Sequence, residues 1–235
     1  PLQRPSFCPA KLLGEQDTAL PAELKDRGVA AGVAVLLVAS SGHVLLTRRA
    51  TTLSIFPNVW VPPGESSWGG VGGTHRLLDV GLRELEEETG LRLDPGTFSW
   101  RTLGLWESIY PPLLSRGLPR RHHIVTYLLL LSSEPHQQLQ ARMSPSTSEV
   151  SAYAWLEPPI LEAIAATQDG AETPGKVPRA LPDTVGIMEL RDGSSSSTQV
   201  PTKTFLNTAP AHGGDVERVS TGTKFALGLW LEAQG

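Results

Sequence analysis

Residues 77–91 read LLDVGLRELEEETGL, and this stretch decides the fold of the 235-residue chain. At about 100° per residue, three leucines fall on one side of a helix and predict an apolar face against a core. They are Leu78, Leu82 and Leu85. Gly90 stands where a glycine in the left-handed conformation commonly ends a helix. We therefore expect an amphipathic helix over residues 75–89.

Three carboxylates lie on another side of the same predicted helix. Glu84 precedes Glu87 by three residues and Glu88 by four, and residues at these spacings are neighbours on a helical surface. Their mutual repulsion is unfavourable, and so is their place near the negative end of the helix dipole. A bound Mg²⁺, which prefers oxygen ligands, would reverse both effects. The charge pattern alone favours the simpler interpretation, a solvated acidic face on an ordinary amphipathic helix.

The full spacing of this segment is more specific than its acidic side. Residues 83–91 read RELEEETGL and fit R-E-U-x-E-E-x-G-U, where U is aliphatic and x is any residue. This pattern is the second half of the Nudix box, and the chain resembles the Nudix hydrolases over roughly residues 30–165. The flanking stretches LLTRR, NVWVPPG and SEVSAYAWLEP agree with the resemblance.

The resemblance implies an α+β fold, an α/β/α sandwich in which a mixed β-sheet is flanked by helices. It also implies metal-dependent hydrolysis of the diphosphate linkage of a nucleoside diphosphate derivative, with Mg²⁺ or Mn²⁺ as cofactor. The metal ligands would be Glu84, Glu87 and Glu88, and the catalytic residues Glu84, Arg83 and Glu88. Glu84 would hold the metal or help to activate the attacking water, and Arg83 would hold the loop–helix geometry through ion pairing.

The implied substrate is a nucleotide-type small molecule or a capped RNA end. Further flanking sequences resemble one vertebrate branch of the family, and that branch is associated with methylated mRNA caps. Trp106, Glu107 and Tyr110 could line the base-binding pocket, although tryptophan and tyrosine are equally good sheet-packing residues. Glu149 is either a further residue near the metal or a surface residue at the start of a strand.

The first half of the box departs from the family pattern. Counting back from Arg83 places its glycine at Gly69, which fits, and its glutamate at His75, which does not. Residues 65–68 also form an apparent four-residue insertion, and ordering a glycine-rich loop costs about 1–2 kcal/mol per residue. Two alternatives to an active hydrolase therefore stay open. One is a hydrolysis-impaired nucleotide-binding module, and the other is an interaction domain with a merely solvated acidic helix.

The surrounding pattern predicts a mixed sheet between helices. A hairpin is expected over residues 32–49, with its turn at Ser40, Ser41 and Gly42. Further strands are predicted at residues 58–62, 98–110, 122–131 and 150–156, and helices at 158–167 and 220–232. Ser220 or Thr221 would cap the last helix. Residues 64–76 are predicted to form a flexible loop.

Composition divides the chain into four parts. Residues 1–28 are predicted to be an N-terminal arm, expected to be truncated because the chain starts at Pro1. Residues 29–168 are the predicted hydrolase domain, 169–218 a loosely ordered segment rich in Gly, Pro and Ser, and 219–235 a C-terminal helix.

Charge and hydropathy exclude several classes of function. The net charge of −4 and the pI of about 5.9 leave no basic footprint for duplex DNA. The longest apolar runs are far shorter than the roughly 20 residues that span a bilayer, so no membrane partner is expected. A single cysteine, Cys8, excludes an intramolecular disulfide. We expect an intracellular, cytoplasmic protein.

Overall fold

The computed structural model describes residues 11–12, 29–68, 74–111, 114–167, 169, 181–191, 194–210 and 216–234, with only the backbone at 65–68, 74–76, 108 and 116. The strands in this part of the chain are β1 (Ala30–Val38), β2 (Val44–Arg49), β3 (Val59–Val61), β4 (Gly64–Trp68), β5 (Phe98–Tyr110), β6 (Arg121–Ser132), β7 (Val150–Leu156), β8 (Thr184–Arg191), β9 (Ser194–Pro201) and β10 (Arg218–Val219). The helices are α1 (Thr74–Thr89), α2 (His136–Ala141), α3 (Pro158–Ala166), α4 (Lys203–Leu206) and α5 (Thr221–Glu232), with a 3₁₀ turn at Leu114–Arg116.

One mixed sheet joins all these strands, in the order β5-β6-β1-β2-β7-β8-β9 along its main path. Strands β1 and β6 are parallel, while β1–β2, β2–β7 and β5–β6 are antiparallel. Short strands cover the rest: β4 pairs with β1, β3 with β2, and β10 with β3. Parallel neighbours require a crossover connection, and the chain from β1 to β6 includes α1.

Helices cover both faces of this sheet, and the alternation of side chains along β1 shows the two layers. Val33, Val35 and Leu37 belong to the buried cluster that includes Leu85 of α1. Their neighbours Leu36 and Val38 belong to a second cluster with residues of α3 and α5, among them Ile160, Leu161, Leu227 and Trp230. The predicted α/β/α sandwich is confirmed.

Most predicted elements occur where the sequence places them. The hairpin β1–β2 turns at residues 39–43, β5 and β7 have the predicted bounds, and α1 spans 74–89. Ser220 caps α5, since its hydroxyl accepts a hydrogen bond from the Thr223 amide at 3.0 Å. Gly90 ends α1 with φ of +68°, and its N–H donates to the Glu86 carbonyl.

Two predictions of loose structure are wrong within the described residues. The supposed loop 64–76 begins as strand β4, which pairs with β1, and ends inside α1. Within 169–218, β8 and β9 pair along their whole length. The serine-rich β9 is exposed and is held by backbone hydrogen bonds, which need no apolar side chains, while Val185 and Ile187 of β8 are buried. Helices α2 and α4 were not predicted.

The arm predicted at residues 1–28 lies outside the described residues except for 11–12. None of the helices in the described ranges combines the length and the hydropathy that crossing a bilayer requires.

Candidate functional site

The C-terminal half of α1 presents its carboxylates to two different environments. Glu84 and Glu88 are buried, each with 6% of its surface exposed. The Glu87 side chain is 62% exposed, although it lies next to Glu88 in sequence. The structure therefore brings two of the three predicted metal ligands together and leaves the third at the surface.

Strands β2 and β4 hold the carboxylate of Glu88. The Gly64 N–H donates to its Oε1 at 3.1 Å, and the Thr47 hydroxyl approaches its Oε2 at 3.5 Å. Glycine at position 64 lets β4 lie close to β1, because a Cβ there would lie 2.3 Å from the Val33 carbonyl oxygen, and this packing fixes the N–H that Glu88 accepts from. The shorter of the two contacts that fix Glu88 against the sheet is therefore made by a backbone N–H.

Burial, as the largest cause, together with the neighbouring carboxylates of Glu149 and Glu84, raises the pKa of Glu88 to about 8. The Gly64 N–H and the guanidinium of Arg49 oppose that rise in pKa. We call Glu84, Glu88, Glu149 and Arg49 the charged cluster. Strongly perturbed pKa values cluster at functional sites, where burial and nearby like charges are often combined, and they also occur in structural networks of charges.

Arg49 is the member of the charged cluster that sequence reasoning missed. Burial lowers the pKa of its guanidinium, while Glu88 and Glu149 raise it. Its Nε donates to the Ile55 carbonyl at 3.1 Å, which ties the end of β2 to the loop that follows. The only sequence signal was the Arg48–Arg49 pair at the end of the predicted hairpin.

Arg83 lies beside the charged cluster and pairs with carboxylates of its own helix. Its Nη2 is 2.9 Å from Oε1 of Glu84, and its Nε is 3.7 Å from Oε1 of Glu87. The Arg83 side chain is 54% exposed. The carboxylates of Glu84 and Glu87 therefore both face the guanidinium of Arg83.

The donor chemistry of the site fits a hard divalent cation. Glu84, Glu88 and Glu149 offer carboxylate oxygens, and a cation among them would offset the burial and repulsion that raise the pKa of Glu88. Within the described ranges, however, no three carboxylate, histidine or cysteine side chains are already gathered in a metal-binding arrangement. In the arrangement shown, Oε1 of Glu84 faces the guanidinium of Arg83 instead of a cation.

The predicted substrate residues on β5 point in different directions. Trp106 packs against Phe225 of α5, with ring centroids 5.2 Å apart, on the face of the sheet opposite α1. Glu107 shares a 2.8 Å hydrogen bond with His122, and Tyr110 meets Phe56 edge to face. Trp106 therefore contributes packing, one of the two roles that its sequence context allowed.

The altered half of the box is only partly in view. Gly69 lies outside the described residues. His75 lies in the first turn of α1, and its side chain is likewise outside the described part. No side chain of residues 65–68 is described either, so the predicted effect of the insertion on metal binding stays a prediction.

Comparison with known proteins adds an independent line of observation. The family model of the NUDIX domain matches residues 28–176. The m7GpppN-mRNA hydrolase NUDT17 of Homo sapiens is 56% identical over 237 residues, covering 100% of this chain and 71% of that protein. The protein of the same name from Xenopus laevis is 54% identical over 232 residues, covering 98% and 75%. Among solved structures, the MutT protein from Methanosarcina mazei Go1 is 21% identical with a TM-score of 0.41, covering 61% of this chain and 85% of that one.

Proposed function

The chain belongs to the NUDIX family, and on that premise we propose that it hydrolyses a diphosphate linkage in m7GpppN-capped mRNA. The substrate comes from the names of the relatives, which are alike over almost the whole chain. The chemistry comes from the charged cluster, and the single observation that carries it is the buried carboxylate of Glu88, held by the Gly64 N–H at 3.1 Å. Acting on mRNA agrees with the cytoplasmic location expected from sequence.

Nudix hydrolases generally use divalent metal ions, and we propose Mg²⁺ or Mn²⁺ for this chain. When bound, such an ion neutralises the charge that develops on the phosphoryl oxygens and lowers the pKa of water. Glu84, Glu87 and Glu88 are the proposed ligands. Glu88 has the strongest support because it is buried and already anchored by the Gly64 N–H.

The protein's own residues supply the rest of the proposed mechanism. In the metal-free protein, Glu88 retains its proton near neutral pH and must lose it before it can bind a cation. Arg49 keeps the buried carboxylates from accumulating uncompensated negative charge. In the alternative role that we propose for Glu84, it accepts a proton from the attacking water instead of binding the metal. The Arg83 guanidinium can face the phosphates.

The hydrolysis-impaired alternative has no support from the described residues. It rests on Gly69 to Gly73 and on the His75 side chain, which are outside the described part of the chain. The burial of Glu84 and Glu88, by contrast, supports the hydrolase proposal. We therefore do not adopt the impaired module as a second function.

The test is hydrolysis of m7GpppN-capped RNA by the full chain in Mg²⁺, in Mn²⁺ and in EDTA, with release of a methylated guanine nucleotide as the readout. Glu84→Gln and Glu88→Gln should each lower kcat/KM by about a hundredfold or more. Glu86→Gln is the matched control, because Glu86 is exposed on the same helix. Equal hydrolysis in EDTA, or full activity of Glu88→Gln, would refute the proposal.

A further inference from the structure

The reaction proposed above uses only part of the sheet end at which the charged cluster lies. Strand β2 runs antiparallel to β1 and β7, β1 runs parallel to β6, and β6 runs antiparallel to β5. The end of β2, the start of β7, the end of β5 and the start of β6 therefore lie at the same end of the sheet. Arg49 ends β2 and Glu149 directly precedes β7, while Tyr110 ends β5 and Arg121 begins β6.

Positive charge is concentrated at the start of β6. Residues 116–123 read RGLPRRHH, and no acidic residue occurs between Glu107 and Glu134, in a chain whose net charge is −4. Arg120 and Arg121 are both exposed. The carboxylate of Glu107 is hydrogen-bonded to a histidine at 2.8 Å, and only 12% of that side chain is exposed. A positive patch on a negatively charged protein attracts anionic groups such as phosphates.

An aromatic pair lies next to these arginines. The rings of Phe56 and Tyr110 meet edge to face, with centroids 4.8 Å apart, and both residues are half-buried. Tyr110 is the register partner of Arg121, and its carbonyl accepts the Arg120 N–H at 2.7 Å. An edge-to-face contact uses the edge of one ring and one face of the other, so the pair itself leaves ring faces on which a nucleotide base can stack.

The loop between β2 and β3 is strained where it carries Phe56. The φ of Phe56 is +49°, a left-handed value that is unfavourable for a bulky side chain. Arg49 holds this loop through two hydrogen bonds of 3.1 Å, one from its Nε to the Ile55 carbonyl and one from the Asn58 N–H to its own carbonyl. Backbone strain of this kind is concentrated at ligand-binding segments, where the surrounding structure maintains it. A member of the charged cluster thus maintains the loop that carries one ring of the aromatic pair.

The register of the sheet places the two arginines well away from Glu88. Gly64, which donates to Glu88, is paired with Ala34 of β1, and Ala34 is paired with Tyr127 of β6. Arg121 precedes Tyr127 by six residues, which is about 20 Å along a strand. A phosphate bound at Arg121 therefore belongs to neighbouring nucleotides of the same substrate and not to the linkage that is hydrolysed.

From these observations we infer that Phe56, Tyr110, Arg120 and Arg121, the arginine–aromatic patch, bind the single-stranded RNA that follows the cap. The two guanidinium groups pair with backbone phosphates, and the aromatic pair stacks a base. Single-stranded RNA fits both halves of the patch because it presents phosphates and unpaired bases together, whereas an acidic peptide offers charge alone. The inference rests on the proposed function, since it takes the substrate to be capped RNA.

Binding of an uncapped single-stranded RNA of about 20 nucleotides to the full chain tests the inference apart from hydrolysis. Fluorescence anisotropy in EDTA, at several salt concentrations, measures the affinity and its salt dependence. Wild type should bind saturably. The double variant Arg120→Gln/Arg121→Gln should bind at least tenfold more weakly, and its slope of log K against log salt should be shallower by about 1.4, or about 0.7 for each lost phosphate contact. Arg92→Gln is the matched control and should bind like wild type, because Arg92 is exposed and precedes the opposite end of β5.

Two variants of Phe56 test the aromatic half of the patch. Phe56→Leu should weaken binding about fivefold or more and leave the salt slope unchanged, because it removes a stacking surface but no charge. Phe56→Trp keeps a flat ring at the same position and should retain wild-type binding. That retention would assign the loss in Phe56→Leu to stacking and not to a damaged loop.

Kinetics separate the arginine–aromatic patch from the proposed active site. With capped RNA as substrate, the double arginine variant should raise KM about tenfold with little change in kcat, and with the cap dinucleotide alone it should resemble wild type. The inference is overturned if wild type does not bind uncapped RNA, if the double arginine variant retains the wild-type affinity and salt slope, or if polyglutamate competes as well as RNA does. If no capped substrate is hydrolysed, the hydrolysis proposal fails, while the anisotropy measurements still decide this inference.

Discussion

Replacing Glu88 with glutamine should stabilise the metal-free protein while abolishing its activity. The wild-type carboxyl has a pKa of about 8 in the folded state against an ordinary value of 4.5. Because the folded pKa is the higher one, the unfolded chain releases its proton first, and stability falls as the pH rises from 4.5 to 8. Glutamine cannot ionise, so it removes this pH-dependent loss.

The size of the effect follows from the same two pKa values. At pH 7 the wild-type carboxyl destabilises the fold by about 3 kcal/mol, and at pH 4.5 by less than about 0.5 kcal/mol. Glu88 is only 6% exposed, so solvent screening reduces these figures little. The glutamine oxygen can still accept from the Gly64 N–H. For a chain of this length, 3 kcal/mol corresponds to a rise in Tm of roughly 6–12 °C.

Denaturant unfolding and thermal melts in EDTA, at pH 4.5 and pH 7, measure this prediction. Glu88→Gln should gain stability at pH 7 and little at pH 4.5, whereas Glu86→Gln should match wild type at both. Adding Mg²⁺ or Mn²⁺ should raise the Tm of wild type and leave that of Glu88→Gln unchanged. A glutamine variant that is less stable than wild type at pH 7 in EDTA would refute the account of a strained buried carboxyl.

Three further predictions concern other parts of the fold. His75→Glu restores the glutamate of the box in the first turn of α1, which has no acidic residue. This variant should add about 0.3–1 kcal/mol of stability and raise the rate of cap hydrolysis. An unchanged rate would contradict the prediction that the altered first half of the box weakens activity. Gly90→Ala should cost more than about 1 kcal/mol in denaturant unfolding, because φ is +68° and its Cβ would lie 2.7 Å from the Ser144 oxygen; a smaller loss would show that this turn relaxes. Asp169→Asn removes the charge that compensates the buried ammonium of Lys224 at 2.8 Å and leaves it the Asn207 carbonyl as an acceptor at 3.1 Å, and we expect a cost of about 3–5 kcal/mol at pH 7. Burial acts to raise the pKa of Asp169, but the paired Lys224 lowers it below its ordinary value of 3.8. The ion pair therefore stabilises the fold above pH 3.8, and this contribution is lost as the pH falls further. In urea unfolding, the difference in stability between wild type and Asp169→Asn should be smaller at pH 3 than at pH 7.

Local patterns were sufficient to predict most of the sandwich. The helical spacing of Leu78, Leu82 and Leu85 and the alternating strands are properties of short segments, so a single sequence reveals them. The β8–β9 hairpin was missed because its second strand is a run of serines with no apolar alternation. Its pairing depends on Val185 and Ile187 of β8, which fit a core formed by distant residues.

The candidate site was predicted only in part, because sequence shows which side chains one helix presents but not what they meet. The box spacing identified Glu84 and Glu88, and both are buried. The same spacing predicted Glu87 as a third ligand, but the Glu87 side chain lies at the surface, 3.7 Å from the guanidinium of Arg83. The partner of Glu88 is a backbone N–H, and any residue type except proline carries one, so no sequence pattern could have identified Gly64 as its donor.

The missed residue Arg49 shows that sheet register determines the composition of this site. In the pairing of β2 with β7, Arg49 lies opposite Val150, and the Ala50 N–H donates to the Glu149 carbonyl at 2.8 Å. That register places the guanidinium of Arg49 and the carboxylate of Glu149 near Glu88, although the two residues are distant in sequence from each other. A slip by a single residue would turn every side chain of the strand to the opposite face. Because the apolar residues Val44–Leu46 of β2 are followed by Thr47, Arg48 and Arg49, a slip would move polar side chains into apolar positions of the core, and it would also move the charges on which the proposed chemistry depends.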